Sequence, residues 1–184
     1  VDTRSEALYT VHDTYLKKPI YNFEMHMALF GTTGEAQWRS YYENVKERLQ
    51  KDEGNGYGYH FRDEDFYVYM TAHACKHFNG GGHGIRNLMD VYVYLDRKRK
   101  LDRGYIEKEL ETLVLLKHEE AVSGLAEKLF GAGFVSVQKD DALLSDKERE
   151  ILDICLSSGT YGTQKRRIEN KLKKMNGKEN ITAK

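Results

Sequence analysis

Residues that staple or interrupt a chain are scarce in this sequence: its 184 residues include one proline and two cysteines. Two cysteines cannot build the disulfide framework of a small secreted domain, so a reduced, cytoplasmic setting is expected. Neither sign of charge is in excess, with 29 lysines plus arginines and 29 aspartates plus glutamates, which argues against a nucleic-acid partner. No apolar run approaches the roughly 20 residues that a bilayer span needs, so no membrane segment is expected.

What is present has the composition of a folded, helix-rich domain. Hydrophobic residues make up 40% of the chain and charged residues 32%, which excludes a disordered or collagen-like protein. The length fits one domain of ordinary size. The chain begins at Val1, without an initiator methionine or the profile of a signal peptide. Because its opening alternates like the middle of a sheet, we expect a piece of a longer protein.

Alternation of polar and apolar residues near the N terminus predicts two antiparallel strands. The first covers about residues 8–16, and the second covers about residues 20–30, which are rich in aromatic and apolar side chains. A turn at residues 17–19 separates them, and Gly31 closes the second strand. An isolated hairpin is marginal in water, so these strands need further strands or a helical layer over them.

Helical periodicity dominates after residue 31. The apolar spacing and the helix-start and helix-stop signals predict helices over the ranges 35–50, 64–78, 85–97, 103–117, 119–130, 145–156 and 164–175. The predicted fold is therefore α+β and predominantly α, with an N-terminal β-hairpin followed by a bundle of about six helices. We divide the chain into the hairpin (1–31), a helical region (32–176) and a frayed tail (177–184).

Glu24 is the first candidate for a functional residue. It lies in the second strand between Phe23 and Met25, and it shares a strand face with Asn22 and His26. A carboxylate among apolar neighbours is costly unless it is hydrogen-bonded, paired or bound to a cation. Two interpretations stay open: an exposed face of a half-buried strand, or a carboxylate that binds Mg²⁺ beside a cleft, since that ion prefers oxygen ligands.

His73 and His77 lie four residues apart on the second predicted helix and therefore share a face. Phe66 and Met70 extend this stripe, which predicts that it points at the core and that removing His77 costs stability. The His-Glu-x-x-His pattern of zinc hydrolases is absent. Core histidines anchored by hydrogen bonds, with Asp90 as a natural partner, are expected, and a metal site made of His73, His77 and Asp90 is the alternative.

The glycine-rich loop at residues 79–84 invites comparison with a phosphate-binding loop. It lacks the Gly-x-x-x-x-Gly-Lys-Ser/Thr spacing and follows a helix instead of a strand, so a helix C-cap and turn is the plainer interpretation. Amides at the start of the helix near Ile85 could still receive an anion. The basic segment 165–174 is interpreted as a solvated helix face, and Cys75 and Cys155 as buried, inert thiols.

Three segments taken together resemble one known family. The helix pair FYVYMTAHACKHFNGGGHGIRNLMDVYVYL resembles the Leu-x-x-His-x-x-Lys-His … Arg-x-x-x-Asp motif of an uncharacterised bacterial family of nucleotidyltransferase-like proteins. The strand NFEMHMALF resembles that family's Val-Glu-Leu-His-Trp strand, and LSSGTYGT resembles a signature of some of its members. The resemblance runs in order from about Val11 to Lys173.

This resemblance implies a polymerase-beta-like nucleotidyltransferase fold, which is a small mixed sheet with an appended helical bundle. Such enzymes hold two Mg²⁺ ions with a Gly-Ser turn, an Asp-x-Asp pair and a third carboxylate on a neighbouring strand. By its place in the Glu-x-His strand, Glu24 resembles the third carboxylate, which makes it the catalytic and metal-binding candidate. The Gly-Ser and Asp-x-Asp elements would lie upstream of Val1, since the acidic residues 63–65 begin a helix.

The resemblance also points to substrate-binding residues. Lys76, His77, Arg86 and Asp90 match the helix-pair motif, and they either line the cleft that faces the nucleotide or hold the two helices together. The chain is therefore expected to be the C-terminal part of an enzyme whose intact form moves a nucleoside monophosphate from Mg-NTP to an unknown acceptor. Because one carboxylate cannot clamp two cations, we expect this chain to be inactive by itself.

Two other functions stay open. One is a non-catalytic helical module for interaction or regulation, built on the same fold, and the other is a metal hydrolase that uses the His and Asp side chains named above. A further expectation concerns oligomers. A sheet edge left uncovered by a missing N-terminal half would invite pairing between two copies of the chain.

Overall fold

The computed structural model describes the backbone of residues 2–4, 12–26, 28–31, 36–131, 143–159 and 162–175, and the side chains in these ranges except those of residues 2–4, 12–14, 24 and 173–175. The chain divides into two compact units, Val1–His60 and Phe61–Lys184. The tail predicted over 177–184 lies outside the described residues, and the domain limits predicted at residues 31 and 176 stay predictions.

A three-stranded antiparallel sheet in the order β1-β2-β3 opens the first unit. Its strands are β1 (Asp2–Arg4), β2 (His12–Lys17) and β3 (Tyr21–His26). The β2–β3 hairpin pairs Lys17 with Tyr21 and His12 with His26. The predicted hairpin is confirmed, with a turn at residues 18–20 that contains a cis Lys18–Pro19 peptide. The predicted bounds are wrong in part, because Lys17 still belongs to β2 and residues 28–30 are not in a strand. Strand β1, which pairs with β2, was not predicted. It is 3 residues long and therefore too short to show a period in the sequence.

The helix predicted over 35–50 is wrong beyond its first turns. Helix α1 (Ala36–Tyr41) ends in a turn, and a 3₁₀ turn follows at Val45–Arg48. Strand β4 (Leu49–Lys51) then pairs with β5 (Tyr59–Phe61) in a two-stranded sheet. Backbone pairing with β5 therefore overrides the helical spacing of the apolar residues in this stretch.

An aromatic cluster forms the described core of the first unit. Trp38 and Tyr42 are buried and pack on Phe30, with ring centroids 5.8 and 5.1 Å from the Phe30 ring. Tyr42 lies in the turn that ends α1. Burial of the Tyr42 ring is worth about 2 kcal/mol. This burial helps to fix the position at which α1 ends.

Six α-helices make up the second unit in the part of the chain that the structure describes. They are α2 (Asp63–Gly80), α3 (Arg86–Arg97), α4 (Arg103–Thr112), α5 (Leu116–Phe130), α6 (Asp146–Ser157) and α7 (Gln164–Met175). Helix α2 packs on α4 and α7, and α5 packs on α3, α4 and α6. The predicted α+β, predominantly α fold with about six helices after the hairpin is confirmed. None of the helices in the described ranges is both long and apolar enough to cross a bilayer.

One face of α2 supplies much of the core of the second unit. It buries Tyr67, Thr71, Cys75 and Phe78, whose spacing follows the turns of a helix. The other helices add aliphatic side chains that are fully buried, among them Leu88, Leu110, Leu125 and Ile151. Burial of each such side chain is worth about 1.5–3 kcal/mol, so apolar packing holds the helices together.

Helix α6 begins with the capping box that the sequence predicts. The Ser145 hydroxyl accepts a hydrogen bond from the Glu148 amide at 3.3 Å, and the Ser145 amide donates to the Glu148 carboxylate at 2.8 Å. The ammonium of Lys128 on α5 lies 2.7 Å from both oxygens of that carboxylate. This set of contacts fixes the start of α6 against α5.

Replacing Ser145 with alanine is expected to lower the free energy of unfolding by about 1 kcal/mol, because the helix start loses its side-chain cap. Urea titration followed by circular dichroism would measure the change. Ser40→Ala is the control, since Ser40 is an exposed serine inside α1 and alanine is the better helix former there. Equal losses in both variants would contradict a capping role for Ser145.

Candidate functional site

Glycine shapes the loop between α2 and α3. Gly82 has a φ of +86°, and the amides of Gly81 and Gly82 both donate to the His77 carbonyl at the end of α2. A Cβ on Gly82 would collide with the Ser158 side chain, and a Cβ on Gly81 would lie 2.8 Å from the Arg167 side chain. The loop therefore needs glycine for its backbone angle and its close packing, as a helix C-cap and turn does.

A cavity of about 650 Å³ opens beside this loop. Helix α2, the loop, the start of α3, the end of α6 and helix α7 all contribute to its lining. Its polar and charged lining residues are His73, His77, His83, Arg86, Asn87, Asp90, Cys155 and Arg167. A volume of this size falls within the range of about 300–1,000 Å³ that is typical of small-molecule sites.

Three residues predicted from the helix-pair motif meet at this cavity: His77, Arg86 and Asp90 all line it. Arg86 and Asp90 lie one turn apart on α3, and Nε of Arg86 is 3.9 Å from Oδ2 of Asp90. Both side chains are exposed, so this ion pair is worth well under about 1 kcal/mol and leaves both groups available to a ligand. Lys76, the fourth predicted residue, is not among the lining residues.

The histidine stripe of α2 does not face the core, so that prediction is wrong. Phe66 and His77 are exposed, and Met70 and His73 are half-buried. The buried face of α2 is a neighbouring stripe that also carries aromatic residues. Periodicity alone cannot choose between two apolar stripes on one helix, and the exposed stripe is the one that reaches the cavity. The structure therefore gives no reason to expect that removal of His77 destabilises the protein.

His73 and His77 contact each other at the cavity wall, with their Nε2 atoms 3.2 Å apart. Since a neutral imidazole carries one N–H, one ring donates this hydrogen bond and the other accepts it. Although His77 is exposed as a residue, the neighbouring cavity wall partly removes its ring from water, and this desolvation, together with the charges of Lys76 and Arg167, lowers the pKa of His77. His77 is therefore neutral at neutral pH and can offer a ligand either a donor or an acceptor.

His83 is the most buried histidine of the cavity lining, with 7% of its surface exposed. Its Nδ1 lies 3.3 Å from the Gly84 carbonyl and donates to it, because a carbonyl can only accept. Its Nε2 is then an acceptor, and this atom has no hydrogen-bond partner among the described residues. Burial lowers the pKa of His83, so the ring stays neutral.

Cys155 is an inert thiol, as the sequence predicts. It is buried at the end of α6, and its Sγ lies 3.8 Å from Nδ1 of His83. Burial raises the pKa of Cys155 to about 11. The thiol is therefore protonated at neutral pH, and it contributes packing to the cavity and no nucleophile.

Sequence patterns missed three of the lining residues: Asn87, His83 and Arg167. The one available signal for His83 is its place in the glycine-rich loop. The sequence holds no signal for Arg167. Its neighbours Lys165 and Arg166 are also basic, so nothing in the sequence shows which of the three faces the cavity.

The alternative metal site is wrong for the part of the chain that the structure describes. No group of three or more His, Cys, Asp or Glu side chains there is arranged to hold an ion. His73, His77 and Asp90 all line the cavity, but they do not converge on one point as metal ligands must.

Glu24 lies in the first unit, in strand β3, where its backbone pairs with Thr14 of β2. Its side chain is outside the described ones, so the prediction that it faces a magnesium site stays a prediction. The flanking Phe23 and Met25 side chains are 51% and 59% exposed. The apolar neighbours of Glu24 in the sequence are thus not buried within the first unit.

Comparison with known proteins identifies a family. A family model described as an uncharacterised nucleotidyltransferase matches residues 2–131. The matched segment includes strand β3 and the α2–α3 helix pair that lines the cavity, and it ends before α6 and α7. No curated protein and no solved structure matches the chain.

Proposed function

The chain belongs to this family of uncharacterised nucleotidyltransferases, and we propose that it is the C-terminal part of a protein that transfers a nucleoside monophosphate. The donor in this proposal is a magnesium-bound nucleoside triphosphate, and the acceptor is a hydroxyl compound that is still to be identified. The cavity of the second unit binds one of these two substrates.

The observation that carries the proposal is the meeting of His77, Arg86 and Asp90 at one cavity. Arg86 can donate a forked pair of hydrogen bonds to a phosphate. Asp90 can accept a hydrogen bond from a sugar hydroxyl or a base amine, and neutral His77 can bind a hydroxyl. Lys76 supports this site through its charge, which helps to keep His77 neutral.

Glu24 is the magnesium ligand that we propose within this chain. When bound, the ion would neutralise the triphosphate and activate the acceptor hydroxyl. A carboxylate is a ligand that Mg²⁺ prefers, but the described residues do not by themselves form a site for it. We therefore propose Glu24 as one ligand and assign the remaining carboxylates to sequence outside this chain, which makes the chain inactive alone.

Incubation with nucleoside triphosphates labelled on the α-phosphate tests the reaction. The protein that carries both this chain and the missing carboxylates is expected to transfer label to an acceptor in a cell extract or to itself, and this chain alone is expected to transfer none. Absence of transfer with all four nucleotides and Mg²⁺ would contradict the proposed reaction.

Replacing Arg86 with alanine is expected to weaken the binding of Mg-ATP to the chain by about tenfold, which is the loss of one charged hydrogen-bonding group. Isothermal titration calorimetry would measure it. Arg99→Ala is the matched control: Arg99 is also an exposed arginine, and it also forms an ion pair within its own segment, with Asp96 at 3.0 Å. Equal affinities of the two variants would place the nucleotide elsewhere.

A non-catalytic module for interaction or regulation is the second candidate. It is favoured by the cavity itself, because His77, Arg86 and Asp90 line it within this chain and binding there needs no metal. Such a module would bind a nucleotide or another ligand in the same cavity, and the protein that contains it would transfer no label. Binding together with failed transfer would therefore select this candidate over the enzyme.

A further inference from the structure

Part of the cavity wall comes from helices that lie beyond the family-matched segment. Leu156 of α6, Gly159 just after that helix and Arg167 of α7 line the cavity, whereas the family match ends at residue 131. The C-terminal helices therefore complete a site that the α2–α3 motif begins.

Helix α7 is fixed to the glycine-rich loop by specific hydrogen bonds. The Asn170 side chain donates to the carbonyls of Asn79 and Gly80 at 3.0 and 2.8 Å, and the Thr163 amide donates to the Gly81 carbonyl at 3.0 Å. A Cβ on Gly162 would collide with Gly81. These contacts satisfy carbonyls at the end of α2 and hold α7 in one position on the loop.

This docking places Arg167 at the cavity. A Cβ on Gly81 would lie 2.8 Å from both Cγ and Nε of Arg167, so the Arg167 stem lies over the loop backbone. Arg167 lines the cavity, and Lys165, Arg166 and Lys171, the other basic residues with described side chains on α7, do not. Among the described side chains of α7, Arg167 is thus the one basic group that lines the cavity.

A second basic side chain lines the same cavity: Arg86 at the start of α3. It is exposed, and its ion pair with Asp90 is long, at 3.9 Å. His83 contributes a neutral ring to the cavity wall, but its Nε2 is buried away from solvent, so we assign that atom no ligand contact. Two guanidinium groups at one cavity favour a ligand that carries negative charge.

We propose that the cavity binds the phosphate chain of a nucleotide or of a phosphorylated acceptor, with Arg167 of α7 and Arg86 of α3 as its two anion-binding residues. The arginines come from helices far apart in sequence, and each can donate two hydrogen bonds to phosphate oxygens. The inference rests on the proposed function for the substrate class, and it adds a binding residue outside the family-matched segment.

Titration of the chain with inorganic tripolyphosphate, ATP and adenosine tests the inference. We expect tripolyphosphate and ATP to bind and adenosine to bind at least about tenfold more weakly than ATP, because the phosphate chain supplies the ionic contacts. Arg167→Met is expected to weaken tripolyphosphate binding by about tenfold or more, while its aliphatic part still covers Gly81. Lys171→Met, on the same helix but outside the cavity lining, is the control and should bind as the unchanged protein does.

Three results would overturn the inference: no binding of tripolyphosphate, equal affinities of the Arg167→Met variant and the unchanged protein, or an equal loss in the control. Circular dichroism and melting temperature would show that each variant is folded, and Arg167→Lys provides a second variant that retains the charge but loses the planar fork. Tripolyphosphate binding through Arg167 without label transfer would uphold this inference and end the proposed reaction. Label transfer that is unchanged in the Arg167→Met variant would support the proposed reaction and overturn this inference.

Discussion

Replacing Glu24 with glutamine in the protein that contains the full set of carboxylates is expected to abolish magnesium-dependent transfer of nucleotide. Loss of one metal carboxylate removes several kcal/mol of transition-state stabilisation, which lowers the rate by more than about a hundredfold. Glutamine has the same size and keeps one oxygen acceptor, so the melting temperature should change by no more than a few degrees. The measurement is the rate of label transfer from an α-labelled nucleotide at saturating Mg²⁺.

Asp13→Asn is a useful control for the Glu24 substitution, because Asp13 lies on the neighbouring strand β2, where it pairs with Met25. The proposed function gives Asp13 no part in metal binding, so its neutralisation should leave transfer unchanged. Retained transfer in the Glu24→Gln variant would make that carboxylate structural. A large fall in melting temperature with the same variant would lead to the same conclusion.

Acidification is expected to destabilise the protein through a histidine that the proposed function does not use. His118 lies in α5, is 3% exposed, and packs on Phe78 with ring centroids 5.3 Å apart. Burial, aided by the charge of Lys147 and the nearby His83, lowers the pKa of His118 to about 4. The unfolded chain takes up this proton below about pH 6.5, and the folded chain does so only near pH 4. Stability is therefore complete above that window and falls as the pH decreases through it.

The expected loss from His118 is about 3 kcal/mol in the free energy of unfolding, which corresponds to a decrease of about 10 °C in melting temperature. The lowered pKa of His83, caused mainly by burial, acts in the same direction. Urea titrations between about pH 8 and pH 5 would measure roughly two-thirds of this loss, because most carboxyl groups are still ionised at pH 5. His118→Leu should flatten the curve.

The stabilities of the unchanged protein and the His118→Leu variant near pH 8 give the cost of the substitution itself, so only their change with pH is compared. Curves that run parallel over the whole range would show that His118 is already protonated in the folded protein or that it is exposed to water. A smaller slope for the variant is the expected outcome.

Local signals in the sequence predicted those parts of the fold that depend on local physics. The Ser-x-x-Glu pattern at Ser145 marks the start of α6, and the glycines at 80–82 mark the end of α2, because caps and positive φ angles are properties of a few neighbouring residues. The stretch after Tyr41 could not be predicted in this way. Its apolar spacing suits a helix, but Leu49–Lys51 finds a strand partner across a turn.

The same distinction applies to the candidate site. His77, Arg86 and Asp90 belong to one continuous motif, so their spacing was enough to bring them together. The side of α2 that carries His77 was misassigned, because Phe66 and Met70 made the exposed stripe look apolar. Arg167 was out of reach of sequence reasoning, since its position depends on hydrogen bonds between α7 and the carbonyl end of α2.

The close packing of backbone on backbone between Gly81 and Gly162 bears on how tightly the cavity can bind. Affinity is reduced whenever a binding site must first give up conformational freedom to meet its ligand. Here the loop has already lost that freedom on folding, because the segment that begins α7 is hydrogen-bonded to it. Gly162 and Gly81 also lie too close together to admit a side chain between them. A phosphate group arriving between the two arginines would meet a preorganised surface, and little of the interaction energy would be consumed in ordering it.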